Sequence, residues 1–163
     1  LKYRGVATTY WQEVFFVDSY ATLNEILVKL FNDIMQIEEK AIITEEFKDI
    51  SNNDMHIIEA IGKSGAKSMS TVAKSLSVTV GTLTIAINSL VKKGYVNRAR
   101  SEKDRRVVLI SLSRKGKKAY IHHEQFHEQM IQATLAGMDE AQTEVLVHAL
   151  QNLKDFFMEY GKK

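Results

Sequence analysis

A chain of 163 residues with 45% hydrophobic and 26% charged residues suits one packed core, with room for one appended interaction element. The lack of cysteine excludes disulfides, thiolate metal sites and thiol redox chemistry, and the lack of proline favours uninterrupted helices. No apolar run approaches the roughly 20 residues that span a bilayer, and no secretory signal pattern is present, so the expected location is cytoplasmic, without a membrane partner.

Residues 1–16 hold Trp11, Phe15 and Phe16 but show no clean period, and residues 1–19 read as an N-terminal extension of unassigned status. From 22 to 41, Leu23, Ile26, Leu27, Leu30, Phe31 and Ile34 form a wide helical stripe. Ser51 is a good N-cap for a helix carrying Met55, Ile58 and Ile61, which ends at Gly62. Ser70 is expected to cap a short helix with Val72, Ala73 and Leu76 turned inward. After a turn at Ser77-Val78, Thr79 caps a second helix with Leu83, Ile87 and Leu90 buried. Gly94 suits the left-handed residue that ends it.

Residues 95–112 then read as two short strands around a charged tip, Ser101 to Arg106, with Val108, Ile110 and Leu112 alternating on the return. Ser113 caps a helix to about Leu135. Gly137-Met-Asp breaks the chain, Asp139 and Gln142 resemble a capping box, and a last helix carries Leu146, Ala149, Leu150, Leu153, Phe157 and Tyr160.

The charge is segregated. Residues 92–118 hold eleven of the 22 Lys and Arg against Glu102 and Asp104 alone, a net +9; since the whole chain is +2, the remainder is −7. A basic stripe on an otherwise acidic molecule is the electrostatic footprint of nucleic-acid binding. Helix, tight turn, second helix and basic hairpin together describe a winged helix-turn-helix, which presents a helix to the major groove and arginines to the neighbouring groove. The expected fold class is therefore mainly α with a small β-hairpin wing, flanked by N- and C-terminal helices. A winged unit of this size cannot cover those helices, so a homodimer is expected.

Asp104-Arg105-Arg106 in the wing, followed by a strand and Leu112-Ser113-Arg114-Lys115-Gly116, resembles the D-x-R wing and L-T/S-x-x-G helix start of the MarR family. The resemblance covers about residues 20–160, with the winged unit at about 51–113 and dimerisation helices at about 20–41 and 114–160. Val78-Thr-Val-Gly-Thr-Leu-Thr, Lys93-Gly-Tyr-Val, the segment from Arg98 to Val108 and Phe126-His127 are similar to the branch that represses fatty-acid synthesis genes in Gram-positive cocci. That resemblance implies a homodimer on a palindromic operator in double-stranded DNA, with acyl carrier protein bearing long acyl chains as corepressor. No cofactor is expected.

Thr79, Gly81, Thr82, Thr84, Ile85 and Asn88 lie off the buried stripe, and positions 79–91 carry no charge. Such a face suits thymine methyls and base edges, and without Arg or Lys for guanine it favours A·T-rich half-sites. Arg98, Arg100, Lys103, Arg105 and Arg106 are the expected wing and flank contacts, with Arg105 and Arg106 suited to a narrow minor groove and Asp104 orienting one of the arginines. Leu30, Ile34, Phe126 and Met130 are candidates for an apolar effector pocket. His123 and His127, spaced i, i+4, can share a metal, as some zinc-sensing relatives do near this helix. The alternative is therefore a zinc- or small-ligand-responsive regulator of the same family. With no phosphate loop, no cysteine nucleophile and no recognisable Ser-His-Asp spacing, an enzyme is not expected.

Overall fold

The first helix is longer than its apolar stripe. In the computed structural model, which describes residues 6–161, α1 (Val6–Ile42) is one helix of 37 residues. The stretch expected to be an extension is thus helical from Val6 onward, and residues 1–5 lie outside the described part. No glycine or proline occurs between 6 and 42, so nothing in the backbone chemistry stops the helix there.

α2 (Asn52–Ile61) begins with a capping box in which Asp54 N–H donates to Ser51 Oγ and Ser51 N–H donates to Asp54 Oδ2, both at 3.2 Å. A two-residue strand, β1 (Lys67–Ser68), precedes α3 (Met69–Ser75). The cap of α3 is Ser68 and not Ser70: Ser68 Oγ accepts the Thr71 N–H at 3.1 Å. α4 (Val80–Lys92) follows at 107° to α3, within the range of helix-turn-helix units, and the turn places Ser77 at φ 56°. Thr79 caps α4 through the Thr82 N–H, and Gly94 follows the helix at φ 80°, both as expected.

β2 (Val96–Arg100) and β3 (Val108–Leu112) form the antiparallel wing, with Val96 opposite Leu112 and Arg100 opposite Val108. β1 pairs with the other edge of β3 and gives the order β1-β3-β2. α5 (Arg114–Leu135) and α6 (Glu140–Tyr160) complete the chain, and Asp139 and Gln142 form the capping box of α6.

The described residues fall into two compact units that divide at Ile121. In the first, the core gathers Met55, Ile58 and Ile61 of α2, Val72 of α3, Leu83, Ile87 and Leu90 of α4, and Tyr95, Ile110 and Leu112 around the sheet. Phe47 and Ile50 enter from the loop after α1, where no periodic pattern marks them. All buried apolar members of this core lie between Phe47 and Ala119. The second unit holds the rest of α5 and α6, and no residue of α6 is buried. Among the described residues, no single helix is long and apolar enough to cross a membrane.

Candidate nucleic-acid interface

Burial of Leu83, Ile87 and Leu90 orients α4 and leaves Thr79, Gly81, Thr82, Ile85 and Asn88 exposed and Thr84 half-buried. Its hydroxyls are already engaged locally. Thr79 and Thr82 hydroxyls share a hydrogen bond of 2.9 Å, and Thr84 Oγ1 donates to the Val80 carbonyl at 2.7 Å. Ile85 is 75% exposed, an uncompensated apolar side chain in the middle of the face. The face therefore offers methyl groups more than free hydroxyls, apart from Asn88.

Asn88 does not stand alone. Arg98 of β2 donates from Nη1 to Asn88 Oδ1 at 3.0 Å and ties the wing strand to the helix. Arg98 lies two residues after buried Val96 and hence on the same sheet face.

The wing tip is organised by its backbone. Ser101 N–H donates to the Val107 carbonyl at 3.0 Å, Val107 N–H to the Asp104 carbonyl at 2.9 Å, and Arg106 N–H to Asp104 Oδ1 at 2.9 Å. Asp104 thus shapes the turn by accepting a main-chain amide, the local bonding for which Asp is favoured in turns. Lys103, Arg105 and Arg106 are exposed at the tip, and Arg100 is exposed at the end of β2.

A polar cluster that the sequence did not reveal braces the root of the wing. Tyr95, fully buried, donates its hydroxyl to Asp49 Oδ1 at 2.5 Å, and Lys115 Nζ lies 3.2 Å from Asp49 Oδ2 and 4.0 Å from the Tyr95 ring centre. Lys93 Nζ reaches Asp54 Oδ2 at 2.7 Å. Burial first, and then the Asp49 hydrogen bond and charge, push the Tyr95 hydroxyl well above its ordinary pKa. Partial desolvation works against Asp49 ionisation, yet the bonds from Tyr95 and Lys115 hold its carboxyl below the usual range. Asp49 comes from an aperiodic loop 46 residues from Tyr95, and only its charge marked it.

In α1, Leu30 is exposed and Ile34 half-buried. In α5, Phe126 and Met130 are half-buried, and Phe126 stacks at 9° on His123 with ring centres 6.3 Å apart. His123 and His127 bring their Nε2 atoms to 3.0 Å, a distance that either a shared ring N–H or, with both nitrogens bare, a shared cation can bridge.

A helix-turn-helix followed by a hairpin wing defines a winged-helix DNA-binding regulator, and residues 50–108 match the model of the MarR family. The chain belongs to the MarR family of DNA-binding transcriptional regulators, not to an enzyme family. It is similar to FabT of Streptococcus pneumoniae, solved in complex with DNA: 41% identity, a TM-score of 0.78, and coverage of 86% of this chain and 99% of that one. The HTH-type transcriptional regulator YwhA of Bacillus subtilis is 29% identical over 124 residues, 74% of this chain and 81% of its own length. A mutant MarR of E. coli, complexed with operator DNA, shares the fold at 24% identity and a TM-score of 0.56, over 80% of this chain and 95% of that one.

Proposed function

We propose that the protein is a homodimeric repressor that binds a palindromic, A·T-rich operator and controls fatty-acid synthesis genes, with long-chain acyl groups on acyl carrier protein as corepressor. The observation that carries this reading is the 41% identity to FabT over almost the whole of that DNA-bound chain. The uncharged, methyl-rich face of α4 supports A·T preference through thymine methyls, with Thr79, Gly81, Thr82, Thr84, Ile85 and Asn88 as its contacts. Arg105 and Arg106 at the exposed tip suit a narrow A·T minor groove, and Arg100 and Lys103 the flanking phosphates. The exposed Val145, Leu150 and Phe156 of α6 favour a second copy as cover.

Two reading helices on one duplex face must lie about 34 Å apart, and an effector acts only through differential affinity for competent and incompetent spacings. A corepressor held by its acyl chain gains roughly 0.8 kcal/mol per buried CH₂, so chain length ranks the ligands. Genomic fragments captured by the protein, sequenced with and without acyl carrier protein bearing short or long chains, test the reading. Enrichment of fatty-acid synthesis promoters, increased by long chains, is expected. Equal capture with every form rejects the lipid branch and leaves the DNA-binding regulator intact.

The close His123–His127 pair favours a second reading, a regulator responsive to a divalent metal through α5. Operator affinity that is unchanged by chelator and by added zinc rejects it.

A further inference from the structure

Oδ1 of Asn88, on the exposed face of α4, accepts the hydrogen bond from Arg98 Nη1 at 3.0 Å. Chemistry settles which way the carboxamide points. A guanidinium carries N–H donors and no acceptor, so the oxygen must face Arg98. Asn88 keeps the two N–H donors of Nδ2 and one oxygen lone pair for whatever approaches α4, and the guanidinium adds further N–H groups, so donors predominate there.

Asparagine ordinarily reads adenine with both amide atoms, the oxygen accepting from N6 and the nitrogen donating to N7. With Arg98 on Oδ1, one of the oxygen's two lone pairs is engaged and the guanidinium stands beside the other. The result is a donor-rich block made by two elements. Guanine is the purine whose major-groove edge offers two adjacent acceptors, O6 and N7. Positions 79–91 of the recognition helix carry no charged residue, so the guanidinium that such a contact needs has to come from elsewhere, and β2 delivers it.

We propose that Asn88 and Arg98 form a composite guanine reader, built jointly by the recognition helix and the wing strand. It sets one required G·C pair in each otherwise A·T-rich half-site. This deepens the operator reading above and rests on it. Arg98 is then a specificity residue rather than a phosphate contact, and its effect is confined to one base position.

The test selects duplexes from a random library with the full chain, then measures affinities for the selected site and its single-base variants. The variants are Asn88→Ala, Arg98→Ala, Arg98→Lys and the double alanine. Both residues are exposed, and unchanged circular-dichroism melts verify that each variant folds. The wild type is expected to require one G·C pair per half-site, with substitution of that pair costing roughly 10- to 100-fold. Each single variant, including Arg98→Lys, loses that discrimination, and the double variant loses no more than either single one. The slope of affinity against salt stays near the wild-type value. Replacing the guanine with 7-deazaguanine weakens the wild type but leaves Arg98→Ala unchanged.

Two results overturn the proposal. In the first, Arg98→Ala weakens every sequence evenly and lowers the salt slope by about one, the behaviour of a phosphate contact. In the second, the selected site requires a base other than guanine at the position Asn88 controls. A wild-type protein that selects no site at all removes the operator reading itself, which separates that failure from failure of the composite reader alone.

Discussion

Gly81 and Gly116 both stand in the first turn of a helix, and the reasons for glycine differ. At Gly81 a Cβ would meet only Thr79 Oγ1, at 3.6 Å, so the fold has no need of glycine there. Glycine costs a helix up to about 1 kcal/mol relative to alanine, and close approach of an outside surface is what offsets it. Gly81→Ala is therefore expected to raise thermal stability by several tenths to about 1 kcal/mol while weakening DNA binding, a pairing that thermal melts and gel shifts measure independently. At Gly116 a Cβ would lie 2.1 Å from the Tyr95 carbonyl oxygen, where Ser113 N–H also donates at 2.9 Å. Gly116→Ala should cost about 1–3 kcal/mol or more in a denaturant titration, because backbone must move to admit the methyl. The sequence marks Gly116 only as part of a motif; the carbonyl that requires it comes from 21 residues away. Tyr95 itself gives a pH signature. With its hydroxyl raised above the ordinary value of about 10, it contributes stability that is present below that pH and lost as pH climbs beyond it. Tyr95→Phe is expected to be less stable than wild type by about 1 kcal/mol at neutral pH, with the gap closing in melts taken above pH ~10.

At the scale of elements, legibility followed locality. Ser51, Thr79 and Asp139 were readable as caps because each bonds within its own first turn. The cap of α3 lies two residues before the expected Ser70 because serine at either position can accept a first-turn amide, and the pairing of Lys67 and Ser68 with Ile110 and Leu109 of β3 fixes the helix start at Ser68. That two-residue strand was itself invisible to periodicity, which needs about four residues to show. The reading face of α4 was legible from what it lacks, namely charge, whereas the Arg98–Asn88 link depends on how β2 runs beside α4. For the wing, the main-chain bonds through Asp104 hold the turn independently of its arginines. Arg105→Ala and Arg106→Ala should accordingly leave melting temperatures unchanged and weaken operator binding by about 1–3 kcal/mol each. Undiminished binding by both variants in a gel shift removes the wing from the interface.

For the whole molecule, the exposed apolar residues of α1 and α6 set the expectations. Leu23, Ile26 and Phe31 in α1, and Val145, Leu150 and Phe156 in α6, are each at least half exposed. Leu150→Asp together with Val145→Asp removes no buried side chain, so the winged unit should keep its melt, while sedimentation shifts from dimer to monomer. Retention of the dimer would place the subunit contact elsewhere.

The closed core between Phe47 and Ala119 has a further consequence. The hydrophobic cluster of the winged unit draws none of its members from α6, so under the homodimer proposed above this unit is expected to hold its fold without the second copy. On that reading, operator-competent pairs accumulate with the square of the chain's concentration while pairing is incomplete. Halving the amount of protein would cut the competent species about fourfold in that regime, from mass action alone. Control of its target genes would behave as a threshold in expression level, sharper than any single-site binding curve, before a ligand enters the account.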